Sequence, residues 1–356
     1  MATLYVASTE TFVGKSATCV ALLDRARRDG FAAGYLKPVS VSVTRTDTTV
    51  LDADAAFVQA HFALPDPLDT LAPVLLTPSV VEAVLAGQSP DFVRRLTTAY
   101  ARVARDRDLV LLEGANHWAE GSLVGLSTDQ VSDMLQAPVL LIARYRPPIT
   151  LDAILAVQRY LGDRLLGVII NSIDAPQLEF VRGRMVPFLE QRGIPVFATL
   201  PHDPQLAGVT VTDLYEHLGG QLLGNPAWGG QLVEHLLIGA MGANAALSHF
   251  RRRTHKAVIT GGDRVDLQLA ALETSTAVLV LTGNIQPVAA VLDRAEEREV
   301  AIIVVPDDTL TAVERAEGIF GQVRFKQAAK IARFTALLDA ACDFARLYQA
   351  IGLTHV

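Results

Sequence analysis

The sequence predicts an α/β protein: a parallel sheet with flanking helices, followed by a second, smaller α/β domain. Three observations carry this. Short apolar runs recur along the chain with helix-period stretches between them. The runs are nearly all apolar, as strands covered on both faces must be. The 356 residues are more than one compact core ordinarily holds.

The first six runs span residues 4–7, 32–36, 109–112, 139–143, 167–170 and 196–200. They are too short for helices. Residues 17–27 and 92–104 between them carry a 3.6-residue apolar period. Strand–helix alternation implies right-handed crossovers and a parallel sheet. The rhythm breaks over residues 202–230, where Gly219-Gly220, Asn225-Pro226 and Gly229-Gly230 cluster. The expected division is therefore 1–205, 206–330 and a C-terminal helix at 331–356. In the second domain, strands are expected at 257–259, 277–281 and 301–305, with helices at 264–273 and 286–298. The final stretch, 327–348, reads as one long amphipathic helix packing on the second domain or on a partner subunit. Its stripe of Ile331, Phe334, Leu338, Cys342 and Ala345 is core or dimer seam.

Composition narrows the function. Half of the residues are hydrophobic and 19% are charged, with a net charge of −7. This is globular, and nothing asks for nucleic acid or an anionic membrane as partner. Cys19 and Cys342 are the only cysteines. Neither a disulfide framework nor a zinc site is expected, and a reducing cytoplasm fits. No run approaches the roughly 18 apolar residues of a membrane span. The strand pattern at 4–7 leaves no room for a signal peptide. The eight histidines show no metal-ligand spacing. Arg251-Arg252-Arg253 reads as a solvated helix end, with capture of an anionic effector as the alternative.

The chemistry begins at residues 8–17, S-T-E-T-F-V-G-K-S-A. A strand stops and a helix starts here, so backbone N–H groups and the helix dipole point at an anion. The strict phosphate-loop pattern, G-x-x-x-x-G-K-[ST], has Thr9 where its first glycine belongs. Gly14, Lys15 and Ser16 are intact: the ammonium suits β- and γ-phosphates and the hydroxyl suits Mg²⁺. Glu113 follows a buried strand, at the carboxyl end where open α/β sheets bind ligands. A carboxylate there is hard to explain as core and easily explained as a metal ligand.

The loop resembles that of dethiobiotin synthetases, G-T-D-T-x-V-G-K-T. Thr11, Val13, Gly14 and Lys15 match and Ser16 is conservative, while Ser8 stands for glycine and Glu10 for aspartate. Residues 34–40, G-Y-L-K-P-V-S, and 108–116, D-L-V-L-L-E-G-A-N, are similar to two further segments of that family. The resemblance implies a P-loop NTPase-type fold in which Lys37 faces the phosphates. It implies that Asp54, with Asp52 second, joins Ser16 and Glu113 at Mg²⁺, and that Asn171 reads the adenine edge. Asn116-His117-Trp118 replaces a glycine pair of the family and would crowd a small-substrate pocket.

In the second half, K-A-V-I-T-G-G-D-R-V-D-L-Q-L-A-A-L-E (256–273) is the most specific stretch. Gly261 and Gly262 permit close backbone approach or positive φ, and Asp263 is a candidate N-cap. With Arg264 they form either a ligand-ready turn or a well-capped corner. Asn284 is a second candidate cap. Together with L-L-I-G-A-M-G-A-N-A-A-L (236–247), this resembles the DRTGG domain, which accompanies a dethiobiotin-synthetase-like domain in the N-terminal region of long bacterial phosphotransacetylases. The chain ends before the acetyl-transfer domain of those enzymes, so it is expected not to be a phosphotransacetylase by itself.

The resemblance implies a cytoplasmic, ATP- and Mg²⁺-binding regulatory protein (another nucleotide in place of ATP stays open). Its second domain would sense a small acidic metabolite or shape a homo-oligomer, and its partner could be an acetate or acetyl-phosphate pathway enzyme. The alternative is an ATP-dependent ligase of the dethiobiotin-synthetase or cobyrinate-amidation kind. It would activate a carboxylate or carbamate as a mixed phosphate, with Lys15 and Lys37 as catalytic residues. A third reading is a degenerate scaffold that binds no nucleotide.

Overall fold

The computed structural model describes residues 1–41, 43–45, 50–321 and 328–354. They form two compact units. The first is Met1–His202 joined by the C-terminal helices Ala328–Ala341 and Phe344–Ala350, and the second begins at Asp203.

In the first unit the strands are β1 (Ala2–Ser8), β2 (Ala33–Leu36), β3 (Val43–Arg45), β4 (Val50–Asp52), β5 (Leu109–Glu113), β6 (Val139–Arg144), β7 (Leu165–Ile173) and β8 (Val196–Pro201). Six of them form one parallel sheet in the order β2-β5-β1-β6-β7-β8. These are the six apolar runs read from the sequence, each lengthened by a residue or more at one or both ends or trimmed by one. Every residue of β1 and β5 is buried, so both faces are covered and no polar alternation shows. β3 and β4 make a separate antiparallel hairpin. From β1 the chain runs to β2 and β5 on one side and later to β6 on the other. The carboxyl end of β1 is thus the switch point where such sheets open a crevice. Register sets Val6 beside Glu113 and Ser8 beside Ile142, which brings the loop after β1 level with the end of β5.

The second unit has β9 (Val209–Thr210), β10 (Gln221–Leu223), β11 (Leu232–Val233), β12 (His235–Ile238), β13 (Lys256–Gly261), β14 (Thr276–Thr282) and β15 (Ala301–Val304). Its sheet runs β10-β15-β14-β13-β12, parallel except for β10 at the edge, while β9 and β11 pair separately. Strand alternation splits the core in two. Ala257, Ile259, Val278, Val280, Ala301 and Ile303 join one apolar cluster, and Val258, Leu279, Leu281, Ile302 and Val304 join the other.

Three local expectations are corrected. The C-terminal stretch packs on the first unit, against helix Lys15–Arg28 and β8. Asp339 receives Arg28 at 2.7 Å, Tyr348 donates to Asp29 at 2.8 Å, and the Arg25 guanidinium lies 4.4 Å over the Phe344 ring. The stretch is also two helices, because Asp343 caps Phe344–Ala350 through the Arg346 amide; Gln327, its expected start, lies outside the described residues. The break resets the phase: Ile331, Phe334 and Leu338 are buried as core, but Phe344 and Leu347 take the inward places expected of Cys342 and Ala345. Finally, neither expected cap forms. Helix Val265–Leu272 starts after Arg264, without a side-chain cap, and helix Ala289–Glu297 starts after Val288. Asn284 instead takes a left-handed turn at φ 55°, its amide bonded to Val305. No helix among the described residues is long and apolar enough to cross a membrane.

Truncating Leu338, which is fully buried in the helix facing Lys15–Arg28, removes core volume from the first unit. Leu338→Ala is expected to cost about 2–5 kcal/mol, read as a lower urea midpoint of the unfolding transition. An unchanged midpoint would show that the C-terminal helices do not belong to this core.

Candidate functional site

The loop between β1 and helix Lys15–Arg28 is shaped by its own backbone. Phe12 sits at φ 56° and Gly14 at φ 94°. A non-glycine residue in the left-handed region is uncommon, and two such turns in three residues swing successive peptide planes. A Cβ at position 14 would also lie 2.7 Å from Asn171 Nδ2, so a larger residue would strain the backbone and push that amide aside. Side chains from strand ends hold the loop from outside. Asn171 Nδ2 donates to the Val13 carbonyl at 2.8 Å, and Arg144 donates to the Phe12 carbonyl. Ser8, in the place of the family's glycine, is buried and donates to the Asn116 carbonyl at 3.1 Å. Thr11 is exposed. The helix that follows has no side-chain N-cap and no acidic residue in its first turn. Its N-terminal dipole is therefore not met by a carboxylate of its own first turn.

Glu113 is the hub. It is fully buried at the end of β5, and its Oε1 accepts Lys15 Nζ at 2.8 Å and Ser16 Oγ at 2.6 Å. Oε2 accepts the Tyr35 hydroxyl at 2.8 Å. Burial alone would push this carboxyl up, but the Lys15 and Lys37 ammonium groups prevail and hold it below the ordinary glutamate value. Next to it, Lys37 is 2% exposed and pairs with Asp52 at 2.8 Å and Asp54 at 2.9 Å. Burial opposes its charge, yet Glu113, Asp54 and Asp52 together hold it above the ordinary lysine value. Tyr35 is pushed well up by burial and by Glu113, so it stays a donor.

The structure thus brings Lys15, Ser16, Lys37, Asp54 and Glu113 into one cluster. Asp52, the second candidate for that position, is engaged within the chain. Its Oδ1 caps helix Ala53–Phe62 through the amides of Asp54 and Ala55, and its Oδ2 takes Ser40 and Lys37. Asp54 is the more accessible of the two. Tyr35 was missed: it reads as one more apolar strand residue, and only the neighbouring β5 reveals the carboxylate it faces. In Asn116-His117-Trp118, the Asn116 carbonyl accepts Ser8 and Trp118 lies against Tyr160 at 4.6 Å. Asn171 engages both ends of its amide within the chain, on Val13 and on the Ser172 amide at 2.7 Å.

Two ammonium groups meet three carboxylates here (Lys15 and Lys37; Asp52, Asp54 and Glu113), so the cluster carries one excess negative charge. Carboxylate and hydroxyl oxygens are the donors that Mg²⁺ takes, usually one or two carboxylates with phosphate and water completing the shell. Among the described residues no group of three His, Cys, Asp or Glu side chains is arranged to hold a metal alone. The cluster fits a cation that arrives with phosphate.

In the second unit, the turn after β13 has neither glycine at positive φ. Gly262 is needed for close approach instead, since a Cβ there would lie 2.6 Å from the Ile285 carbonyl. Gln268 Nε2 ties the turn by donating to the Gly261 and Gly262 carbonyls at 3.1 and 3.0 Å. Arg264 forks onto Asp266 at 3.0 Å through two nitrogens, and Asp263 is exposed.

Comparison with known proteins gives the same two parts. Residues 2–210 match the AAA domain family and residues 213–319 match the DRTGG domain. The phosphate acetyltransferase of Nitratidesulfovibrio vulgaris is 25% identical over 365 residues, covering 97% of this chain and 51% of that one. The ATP-dependent dethiobiotin synthetase of Xylella fastidiosa is 27% identical over 208 residues, covering 57% of this chain and 92% of that enzyme. The synthetase of Cellvibrio japonicus is 29% identical over 181 residues, covering 49% and 79%. The chain spans about half the length of the acetyltransferase it matches, and both resemblances read from the sequence hold.

Glu113 makes stability depend on acid. Its folded value lies below its unfolded one, so its contribution is present above about pH 4.3 and is lost as pH falls through the folded value. Glu113→Gln leaves Lys15 buried without its carboxylate. The expected cost at neutral pH is about 3–5 kcal/mol, together with a shallower loss of stability in acid. Urea unfolding of both proteins across pH measures both effects; a variant as stable as the parent at pH 7 refutes the role.

Proposed function

The chain belongs to the AAA domain family, and from that premise we propose that it is a nucleotide-binding regulatory protein, in which a nucleoside triphosphate with Mg²⁺ binds the first unit. The observation that carries this reading is the joint hold of Lys15 and Ser16 on one buried carboxylate oxygen of Glu113. Both groups belong to the phosphate loop, and both are satisfied by the acid that would face the cation. A phosphate reaching Lys15 displaces it from Glu113 and leaves that carboxylate short of one ammonium partner. A cation reaching Glu113 frees Lys15. Each arrival therefore favours the other, and binding is expected to be strongly Mg²⁺-dependent. Lys37, held by Asp52 and Asp54, lies next to the same carboxylate and is available to the outer phosphate when Asp54 turns to the cation.

The DRTGG unit is the candidate sensor. The turn of Gly261, Gly262, Asp263 and Arg264 lies at the carboxyl end of β13, where a parallel sheet offers its ligand edge, and a small acidic effector is the ligand class proposed there. An acetate or acetyl-phosphate pathway enzyme is the proposed partner, because the alignment with the acetyltransferase runs across both units. A homo-oligomer and a cytoplasmic setting belong to the same proposal.

One observation favours a second reading. Two ammonium groups converge with Glu113 and Asp54, which is more charge than holding a nucleotide demands, and it suits stabilisation of a phosphoryl group in transfer. On that reading the protein is an ATP-dependent ligase that activates a carboxylate or carbamate.

Calorimetric titration with ATP is expected to show binding with Mg²⁺, weak or no binding without it, and at least a ten-fold loss in Lys15→Ala (about 1.4 kcal/mol). Absence of binding in the parent protein removes both readings and leaves a scaffold. Phosphate release stimulated by one candidate acid selects the ligase; binding without turnover selects the regulator.

A further inference from the structure

The phosphate loop is supported by a residue that follows the second unit in sequence. Helix Ala328–Ala341 belongs to the first unit, although the second unit, which begins at Asp203, comes between it and the rest of the first along the chain. Phe334 lies on this helix and is 4% exposed. Its ring edge stands 3.7 Å from the place a Cβ on Gly14 would take, and the three heavy atoms nearest that place belong to Asn171 and Phe334. The helix is held at its other end too. Asp339 accepts Arg28 at 2.7 Å and Arg25 at 3.4 Å, both from the last turn of helix Lys15–Arg28. Leu338, four residues on from Phe334 and so on the same face, is fully buried. The helix thus lies along helix Lys15–Arg28 with Phe334 at the loop and Asp339 near the far end.

Gly14 gains from such support. At φ 94° it has no Cβ to restrict it, and glycine loses more conformational freedom on ordering than any other residue. The peptides on either side of it carry amides that an anion at this helix start would use. A loop ordered before the ligand arrives spares the ligand that entropy. An apolar ring packed where a side chain would stand leaves Gly14 little room to turn, and so keeps the loop ordered.

We propose that Phe334 is a positioning residue: it holds Gly14, and with it the amides of the phosphate loop, in the arrangement a polyphosphate binds. The loop is then complete only when the segment beyond the second unit is seated on helix Lys15–Arg28. This inference rests on the nucleotide reading and adds to it a residue that the loop motif does not contain.

Mg²⁺-ATP and base-free Mg²⁺-triphosphate are titrated into the parent protein, Phe334→Ala, Phe334→Leu and Leu338→Ala, well below every melting midpoint. Hydrogen exchange of the loop amides is followed in the same proteins without ligand. Both alanine variants remove buried apolar volume from one helix, so both are expected to lower the midpoint. A protein that is still folded binds as before unless the site itself is altered. Phe334→Ala is expected to lose about ten-fold in affinity for both ligands alike, the order of one backbone residue's ordering entropy, and to exchange the amides of residues 13–16 faster. Phe334→Leu keeps most of the apolar volume and is expected to lose less; it carries the test should the alanine fail to fold. Leu338→Ala is expected to bind as the parent does. Unchanged affinity and exchange in Phe334→Ala, or in the leucine variant where it stands in, overturn the proposal and leave the ring as core alone. An equal loss in Leu338→Ala overturns it too, since the helix as a whole then acts. A loss confined to ATP makes Phe334 a base contact and overturns it as well. A parent protein that binds neither ligand fails the nucleotide reading itself, and the proposal falls with it.

Discussion

A carboxylate with no exposed surface must be met by positive charge or hydrogen bonds, because desolvation otherwise forces it neutral. Glu113 meets that requirement with Lys15, Ser16 and Tyr35, and much of the first unit follows from it. Lys15 and Ser16 open the helix after β1, so the ion pair sets where that helix begins and how its first turn lies against the sheet. Tyr35 comes from β2 on the far side of β5. One side chain thus ties three elements at the carboxyl edge of the sheet. Removing it would leave an ammonium buried without its partner, which is why such pairs are weak as a source of stability and costly to break singly.

The same accounting explains the neighbouring Lys37. A lysine almost wholly out of water keeps its proton because Glu113, Asp54 and Asp52 oppose the cost of burial, the two aspartates from within 3 Å. Asp52 has a second task, capping the helix that carries Asp54, so the position of the more accessible carboxylate depends on the buried one. The result is a cluster whose charges nearly cancel, with one negative charge over. An arrangement of this kind is stable as it stands and can exchange partners when ligands of both signs arrive together.

The second unit repeats the architecture with different chemistry at its ligand edge. Its strands alternate between two apolar clusters, as a sheet covered on both faces requires. Its glycine turn is closed by Gln268 and by close contact with Ile285 rather than by left-handed backbone. Arg264 is engaged with Asp266 two residues on, and its guanidinium is partly exposed. Among the described residues this edge has no buried ion pair like that around Glu113.

The local pattern of residues settled the six strands of the first sheet, three of the five in the second, the Gly-Lys-Ser corner and the identity of most of the charged cluster. Burial on both faces leaves an unbroken apolar run, and a strand-to-helix corner with Gly-Lys-Ser is as local a signal; both are visible over a few consecutive residues. Tertiary structure alone decided which charges meet. That Lys15 and Glu113, ninety-eight positions apart, share a bond follows from the strand order, which no local pattern encodes. The same holds for Tyr35, whose hydroxyl has meaning only beside β5, and for Asn171, whose amide is drawn to Val13 by proximity across the sheet. The C-terminal helices illustrate the limit most directly. Their amphipathic period announces a buried face, but a period carries no information about the surface that covers it, and the cap at Asp343 shifted even the phase of that face.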